Sequence, residues 1–580
     1  MSLIKSELEW LRVVRASLAI FISWNMAGCA TVSHQQLQEA ALSQVSLPSL
    51  KAKAKKALDA GQFVEAARWY ELAIDKTDDE GLVREATVSA YEHAQWQSAI
   101  RCAKRWLSIN PTSQEAHENA AFAAVRLYQV DVATEHLDAL VGSAYISPAS
   151  GFLQLLPKIQ VLDASAALAT MQNLAQKYPQ IAEAHYVVAK LASQTAHQAL
   201  MLSEAQRAHE LSAYWSPAGL TLAHAQLAGN QVEHALATAK SVIANDGSIA
   251  TRSEYAAILL EAGKINDAVL LLKELEKSTD DVGPALLLLA QIELQSGEFQ
   301  AAFDHYSRLM SGSSRASEAL YGMAQISERA GILDSARQLY ARVQEGEFAL
   351  PAQVRLAQII QKQDGVDAAL ASLKQYGDSN PDKFLEVLRS RAELLIASGN
   401  NKAAMELYDQ SIANYPDEAS LKLARAFLLI KLDKIDSAIA AMKLMVTERP
   451  EDPIALNALG YTLVDRTHDV RQGYALIQHA MRYSPDSGAV LDSMGWAEYK
   501  MGHVESALTY IQRASTRTVD ADLDLHLGEV LWSLKRYDDA VAAWRVGLTH
   551  APKHVQLLKR IQMAEKQHKG SASPPQPPNK

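Results

Sequence analysis

Between Leu456 and Pro552 the apolar residues fall into amphipathic blocks of helical period, and the blocks come in pairs. One short phrase marks the first block of each pair: Ala458-Leu459-Gly460-Tyr461, Ser493-Met494-Gly495-Trp496 and His526-Leu527-Gly528-Glu529. The three glycines are spaced 35 and 33 residues apart, and each is followed on the second block by a small residue, Ala475, Ala507 and Ala540. Pro450, Pro485 and Pro552 punctuate the pairs. Two antiparallel helices that cross closely need small residues at the crossing. A single pair cannot bury its apolar face alone, so the pattern predicts stacked pairs.

The small residue of the second block can be followed back through the chain. It falls at Ala66, Ala99, Ala133, Ala167, Met201 as an exception, Ala235, Ala268, Ala302, Ala336, Ala369, Ala404, Ala438, Ala475, Ala507 and Ala540. From first to last this is 474 residues over 14 steps, about 34 per step. Gly61, Gly263, Gly297, Gly331, Gly399 and Gly502 recur in phase at the predicted turn between the two helices. Tyr70, Tyr306, Tyr340, Tyr408 and Trp544 lie four residues beyond the small position, while Pro111, Pro179, Pro217, Pro416, Pro450, Pro485 and Pro552 close units. The step from Ala438 to Ala475 is long and the next one short, which predicts a small insertion around Asp465–Asp469.

A repeat of this length, with a small–small packing pair and a closing proline, resembles the tetratricopeptide helix–turn–helix. The resemblance implies an all-α fold, a tetratricopeptide superhelical solenoid of about fifteen helix–turn–helix units. Residues 47–450 form a degenerate N-terminal and central array, most divergent in the first few units and near 180–215 and 345–380. Residues 451–556 hold the well-formed units. The Gly/Ser/Pro-rich stretch from Val141 to Gly151 reads as a softer joint.

The ends read differently. A basic start and the short apolar run Ala16–Trp24 are too brief for a membrane span and suit a secretory signal over residues 1–28. Its end, Met26-Ala27-Gly28-Cys29, resembles the bacterial lipobox, departing from it at Met26 where leucine is usual. That resemblance implies cleavage before Cys29 and lipidation of its sulfur and new amine, a stable anchor because more than one chain is attached. Ala30 after the cysteine, where aspartate would signal retention, implies an outer-membrane, periplasm-facing protein. Residues 29–46 are a polar tether, and the Pro-rich tail 569–580 has nothing to bury.

Composition narrows function mainly by exclusion. The net charge of −10 comes with no basic block, so the electrostatic term that nucleic-acid binding rests on is missing and no nucleic-acid partner is expected. Two cysteines, Cys29 and Cys102, cannot build a disulfide framework or a four-cysteine zinc site, and Cys102 reads as a buried small residue. The repeats leave no segment long enough for a catalytic domain. No nucleophile elbow, zincin motif or phosphate-binding loop occurs. His550 and His554 are separated by Pro552 and do not share a helical face, and Asp522, Asp524 and His526 read as the start of a helix. Neither a catalytic site, a metal nor a cofactor is expected, apart from the lipid on Cys29.

In tetratricopeptide proteins residues of the first helix line a concave groove. Carried onto the three clearest units, the resemblance assigns partner binding to Asn457, Tyr461, Asp492, Trp496, Tyr499, Glu529 and Trp532. Aromatic rings with polar neighbours suit peptide recognition. Packing between repeats is the other role open to Trp496 and Trp532, since both lie near a packing glycine. No lysine/asparagine carboxylate clamp is evident. The lipobox, the unit number and the phrases Asp492–Trp496 and His526–Trp532 together resemble the large tetratricopeptide outer-membrane lipoproteins of Proteobacteria. Within that group the layout is similar to the lipoprotein that partners a periplasmic carboxyl-terminal processing protease. This implies an adaptor holding the protease with peptidoglycan hydrolase substrates. An assembly factor for a secretin, pilus or exopolysaccharide machine is the alternative.

Overall fold

The computed structural model describes residues 45–142, 147–195, 197–278, 281–310, 315–380, 383–518 and 520–571. The signal segment, Cys29, most of the tether and almost all of the Pro-rich tail lie outside the described residues, as does part of the joint predicted between Val141 and Gly151. Among the described residues the secondary structure is helical, fifteen antiparallel helix pairs followed by one more helix, Val555–Ser571. The fold is the tetratricopeptide solenoid. None of these helices is long and apolar enough to cross a membrane.

The described residues divide into two compact units, one ending at Thr77 and one beginning at Asp78. The first holds a single helix pair, Leu47–Asp59 and Phe63–Ile74. Leu50, Ala54 and Ala57 on one helix, and Ala66, Tyr70 and Ile74 on the other, are buried. The second unit holds the other fourteen pairs and the last helix, and its neighbouring pairs pack in chain order.

The alanine phase marks the crossings. Ala99, Ala133, Ala167, Ala235, Ala268, Ala302, Ala336, Ala369, Ala404, Ala438, Ala507 and Ala540 are all fully buried, and Met201 nearly so. The rings four residues further on, Tyr306, Tyr340, Tyr408 and Trp544, are buried too. They explain why glycine recurs opposite them. A Cβ on Gly528 would lie 2.0 Å from Trp544 Nε1, and one on Gly322 2.2 Å from the Tyr306 ring.

Three expectations are corrected. Ala475 is exposed, and the small residue at that crossing is Gly473, which is buried. A Cβ on Gly473 would meet the Gly460 carbonyl oxygen at 2.5 Å, so only glycine allows these two backbones to approach so closely. With Gly473 in place the steps become 35 and 34 residues, and no insertion exists at Asp465–Asp469. Helix Pro453–Arg466 is simply one residue longer than its successor Gly488–Lys500. Pro217 does not close a unit; it occupies the first turn of helix Ser216–Ala228, where its missing N–H costs nothing. Cys102 is buried in helix Trp96–Ile109 as expected.

The turns within the pairs share one device. In eleven of them the residue two before the second helix is left-handed: glycine in six, and Ala94, Tyr128, Asn230, Asp433 and Lys535 in the rest. The left-handed residue lets the chain satisfy the last carbonyls of the first helix, as in Gly502 N–H to Tyr499 O (3.0 Å) and His503 N–H to Glu498 O (2.9 Å).

Contacts of a second kind run between units far apart in sequence. Gln95 Nε2 donates to the Asn414 carbonyl at 2.8 Å, the Trp96 indole to Glu418 Oε1 at 2.8 Å, and Gln97 N–H to Asp417 Oδ2 at 3.2 Å. These pairs are 319, 322 and 320 residues apart. Successive superhelical turns of the second unit therefore meet along a seam.

Candidate partner-binding face

Three consecutive first helices carry the sequence-predicted residues: Pro453–Arg466, Gly488–Lys500 and Ala521–Ser533. Asp452 and Asp520 cap the outer two by accepting backbone N–H bonds, fixing where each helix begins. Equivalent positions on adjacent first helices lie about 34 residues apart, which places Asp492 beside His526. The His526 Nδ1 is 2.9 Å from Asp492 Oδ1, and its Nε2 lies 3.5 Å from the Tyr461 hydroxyl. Trp496 stacks on the same imidazole with centroids 4.1 Å apart and planes 18° apart. Tyr499 stacks on Trp496 at 5.1 Å, while the Trp496 indole donates to Asp465 at 3.1 Å. The Lys500 ammonium sits 4.8 Å from the Trp496 ring centroid.

The electrostatics are those of an acidic face built around buried rings. Burial pushes the Tyr461 phenol up, and the charges of Asp465, Asp492 and Asp522 push it further. Burial alone would lower the His526 pKa, but Asp492, through charge and hydrogen bond, with Asp522 and Asp465, holds it above its ordinary value. Glu529 is raised by burial and pulled back by its ion pair with Arg560 of the last helix.

The structure thus brings Tyr461, Asp492, Trp496 and Tyr499 into one cluster. Glu529 adjoins it through its charge, which raises the Tyr499 phenol after burial. Asn457 lies one turn before Tyr461, with its side-chain oxygen shielded and unpartnered. Trp532 is elsewhere: it packs against Tyr537 (4.7 Å) and Trp544 (5.5 Å) within its own unit. His526, Asp465, Lys500 and Arg560 were not singled out for this face by the sequence. The 34-residue offset from Asp492 to His526 was the available signal for the first. Arg560 reaches Glu529 from beyond the last repeat, and no periodicity points to it.

Comparison with known proteins agrees with the repeat geometry. Sequence profiles described as tetratricopeptide repeat match residues 395–460, and 256–314 with 493–553. The chain carries tetratricopeptide repeats. It is 33% identical over 198 residues to the TPR repeat-containing protein PA4667 of Pseudomonas aeruginosa, a stretch spanning 34% of each chain. It is also 25% identical over 176 residues to human tetratricopeptide repeat protein 21B, covering 30% of this chain and 13% of that one. The chain thus matches about a third or less of the length of these relatives. Among solved structures, yeast Tom70 aligns over 90% of this chain and 96% of its own at 12% identity, with a TM-score of 0.33. The APC/C Cut9–Hcn1 hetero-tetramer aligns over 91% and 98% at 14% identity, with a TM-score of 0.31.

Proposed function

We propose that the protein is a non-enzymatic scaffold, held at the envelope by a lipid on Cys29, that gathers other proteins on the inner faces of its repeats. Tetratricopeptide repeats indicate protein–protein interaction. The observation that carries the reading is the aromatic cluster Tyr461–His526–Trp496–Tyr499, rimmed by Asp465 and Asp492 on consecutive first helices. Its partly exposed edge, Tyr461, Tyr499, Asp465 and Asp492, is held in place by the buried Trp496 and His526, so a partner segment meets it without ordering cost. Following the lipoprotein resemblance, the partners are a carboxyl-terminal processing protease and peptidoglycan hydrolases at the periplasmic side of the outer membrane. Holding both on one tethered body raises their effective concentration without new chemistry.

Crosslinked affinity purification of the lipidated protein from its own cells, followed by mass spectrometry, tests this. Recovery of a processing protease with wall hydrolases, lost on Tyr499→Ala, supports the adaptor. Recovery of secretin, pilus or polysaccharide-export components instead replaces it with the assembly factor.

A further inference from the structure

The seam between superhelical turns differs in kind from the packing between neighbours. Neighbouring pairs meet through apolar surface, as in the core cluster that runs without a break from Ala90 to Ala225. The seam meets through loops, hydrogen bonds and charges. Its anchor is the buried pair Trp96 and Glu418, flanked by Gln95 with Asn414 and Gln97 with Asp417. Its apolar part is small: Phe384 and Tyr415, their rings tilted against each other at 4.3 Å, lie against the core of the early units.

Further along, open clefts lie between the two sides. A cavity of about 360 Å³ separates Tyr128, Leu168 and His197 from Tyr483 and Asp486. Another of about 480 Å³ separates Lys190, His224 and Glu254 from Thr516 and Arg517. Asp452, pushed up by burial, also feels the like charge of Asp163 across the seam. Glu418 is pushed up by burial as well, against the pull of Arg126 and the Trp96 hydrogen bond. An interface of few apolar contacts, opposed carboxylates and open clefts is held less tightly than one of close-packed side chains.

We infer that the seam is a releasable latch: the turn-to-turn contact at Trp96–Glu418 opens and closes while every helix pair on either side stays folded. The two states differ in access to the inner faces of the units that the seam joins.

Hydrogen exchange read by mass spectrometry on the full chain, paired with small-angle scattering, tests it. Glu418 serves as the handle because its side chain makes no capping bond in its own helix, Ala419–Lys431. In Glu418→Lys, which sets a second cation against Arg126, the segments around 95–97 and 414–418 should exchange about tenfold faster or more. The radius of gyration should rise, while helix segments around Ala133 and Ala438 keep wild-type protection. Glu418→Gln, which keeps an acceptor for the indole, should remain closed. The latch is overturned if Glu418→Lys leaves the seam segments unchanged, or if seam and helix protection fall together. Should Glu418→Lys not fold, Asp417→Ala removes the acceptor of Gln97 N–H and is judged by the same two readouts.

Discussion

The Trp496 indole lies flat on the His526 imidazole, 4.1 Å between centroids, while Asp492 holds the imidazole Nδ1 at 2.9 Å. A protonated ring in that place gains both a charge-assisted hydrogen bond and a cation–π contact. The folded-state pKa of His526 is raised. Its contribution to stability is therefore complete below the unfolded value of about 6.5 and is lost as pH rises through the folded value. Removing the counter-charge with Asp492→Asn should cost about 3 kcal/mol, because it strands a buried imidazolium or forces it neutral. NMR titration of the His526 ring, with melting curves from mildly acidic to alkaline pH, checks both. A His526 pKa unchanged in the variant would contradict the assignment.

The Gly460–Gly473 crossing makes a sharper demand on size. Gly473→Ala should destabilise by about 1–3 kcal/mol, since the new methyl meets the Gly460 carbonyl and neither backbone can yield cheaply. Ala475, two residues on and exposed, should accept serine or glutamine within about 0.5 kcal/mol. Urea unfolding of the two variants separates them. Equal effects would mean that the register is the one the alanines alone suggest.

That pair also shows what was legible in the sequence and what was not. Alanine at a 34-residue step carries the phase because a crossing tolerates little else, and Ala99 through Ala438 follow it with Met201 as the one exception. Gly473 satisfies the same need but is invisible to a count of alanines, and Ala475 stood nearby to mislead it. Asp492, Trp496 and Tyr461 could be placed on one face because adjacent first helices repeat in register. The role of Trp532 could not, since a ring near a packing glycine points toward the groove or toward its own partner helix depending on one turn of phase. The Trp96–Glu418 contact was out of reach altogether. It joins residues 322 apart, and no local pattern encodes how tightly a superhelix winds.

His224, which lines the cleft opposite Thr516 and Arg517, gives a second electrostatic test. Its Nε2 is 2.9 Å from Glu254 and its Nδ1 3.0 Å from Glu261. Burial works against the charge, but the two carboxylates raise its pKa to about 9. The stabilisation is complete below about 6.5 and disappears as pH climbs to about 9 and beyond. Both glutamates are roughly half exposed, so screening holds the contribution to about 1 kcal/mol. His224→Gln should lower the melting temperature at pH 6 and have little effect at pH 10. A deficit of the same size at both would show that the residue acts by packing.

The left-handed turns supply the last prediction. Asn230, Asp433 and Lys535 are exposed and hold positive φ where six other turns hold glycine. An L-residue in that conformation pays about 1–2 kcal/mol, least for asparagine and aspartate, whose short side chains bond locally. Glycine removes that strain but returns part of the gain as unfolded-state entropy. Lys535→Gly should therefore stabilise by about 0.5–1 kcal/mol, and Asn230→Gly by less. Gly502→Ala, the reverse change at φ 88°, should destabilise by about 1 kcal/mol. Because each turn joins only the two helices of its own unit, the effects should add when Lys535→Gly and Asn230→Gly are combined. Chemical denaturation of the three single variants and the double variant decides it. A neutral Lys535→Gly would mean that the lysine is held there by something other than the backbone.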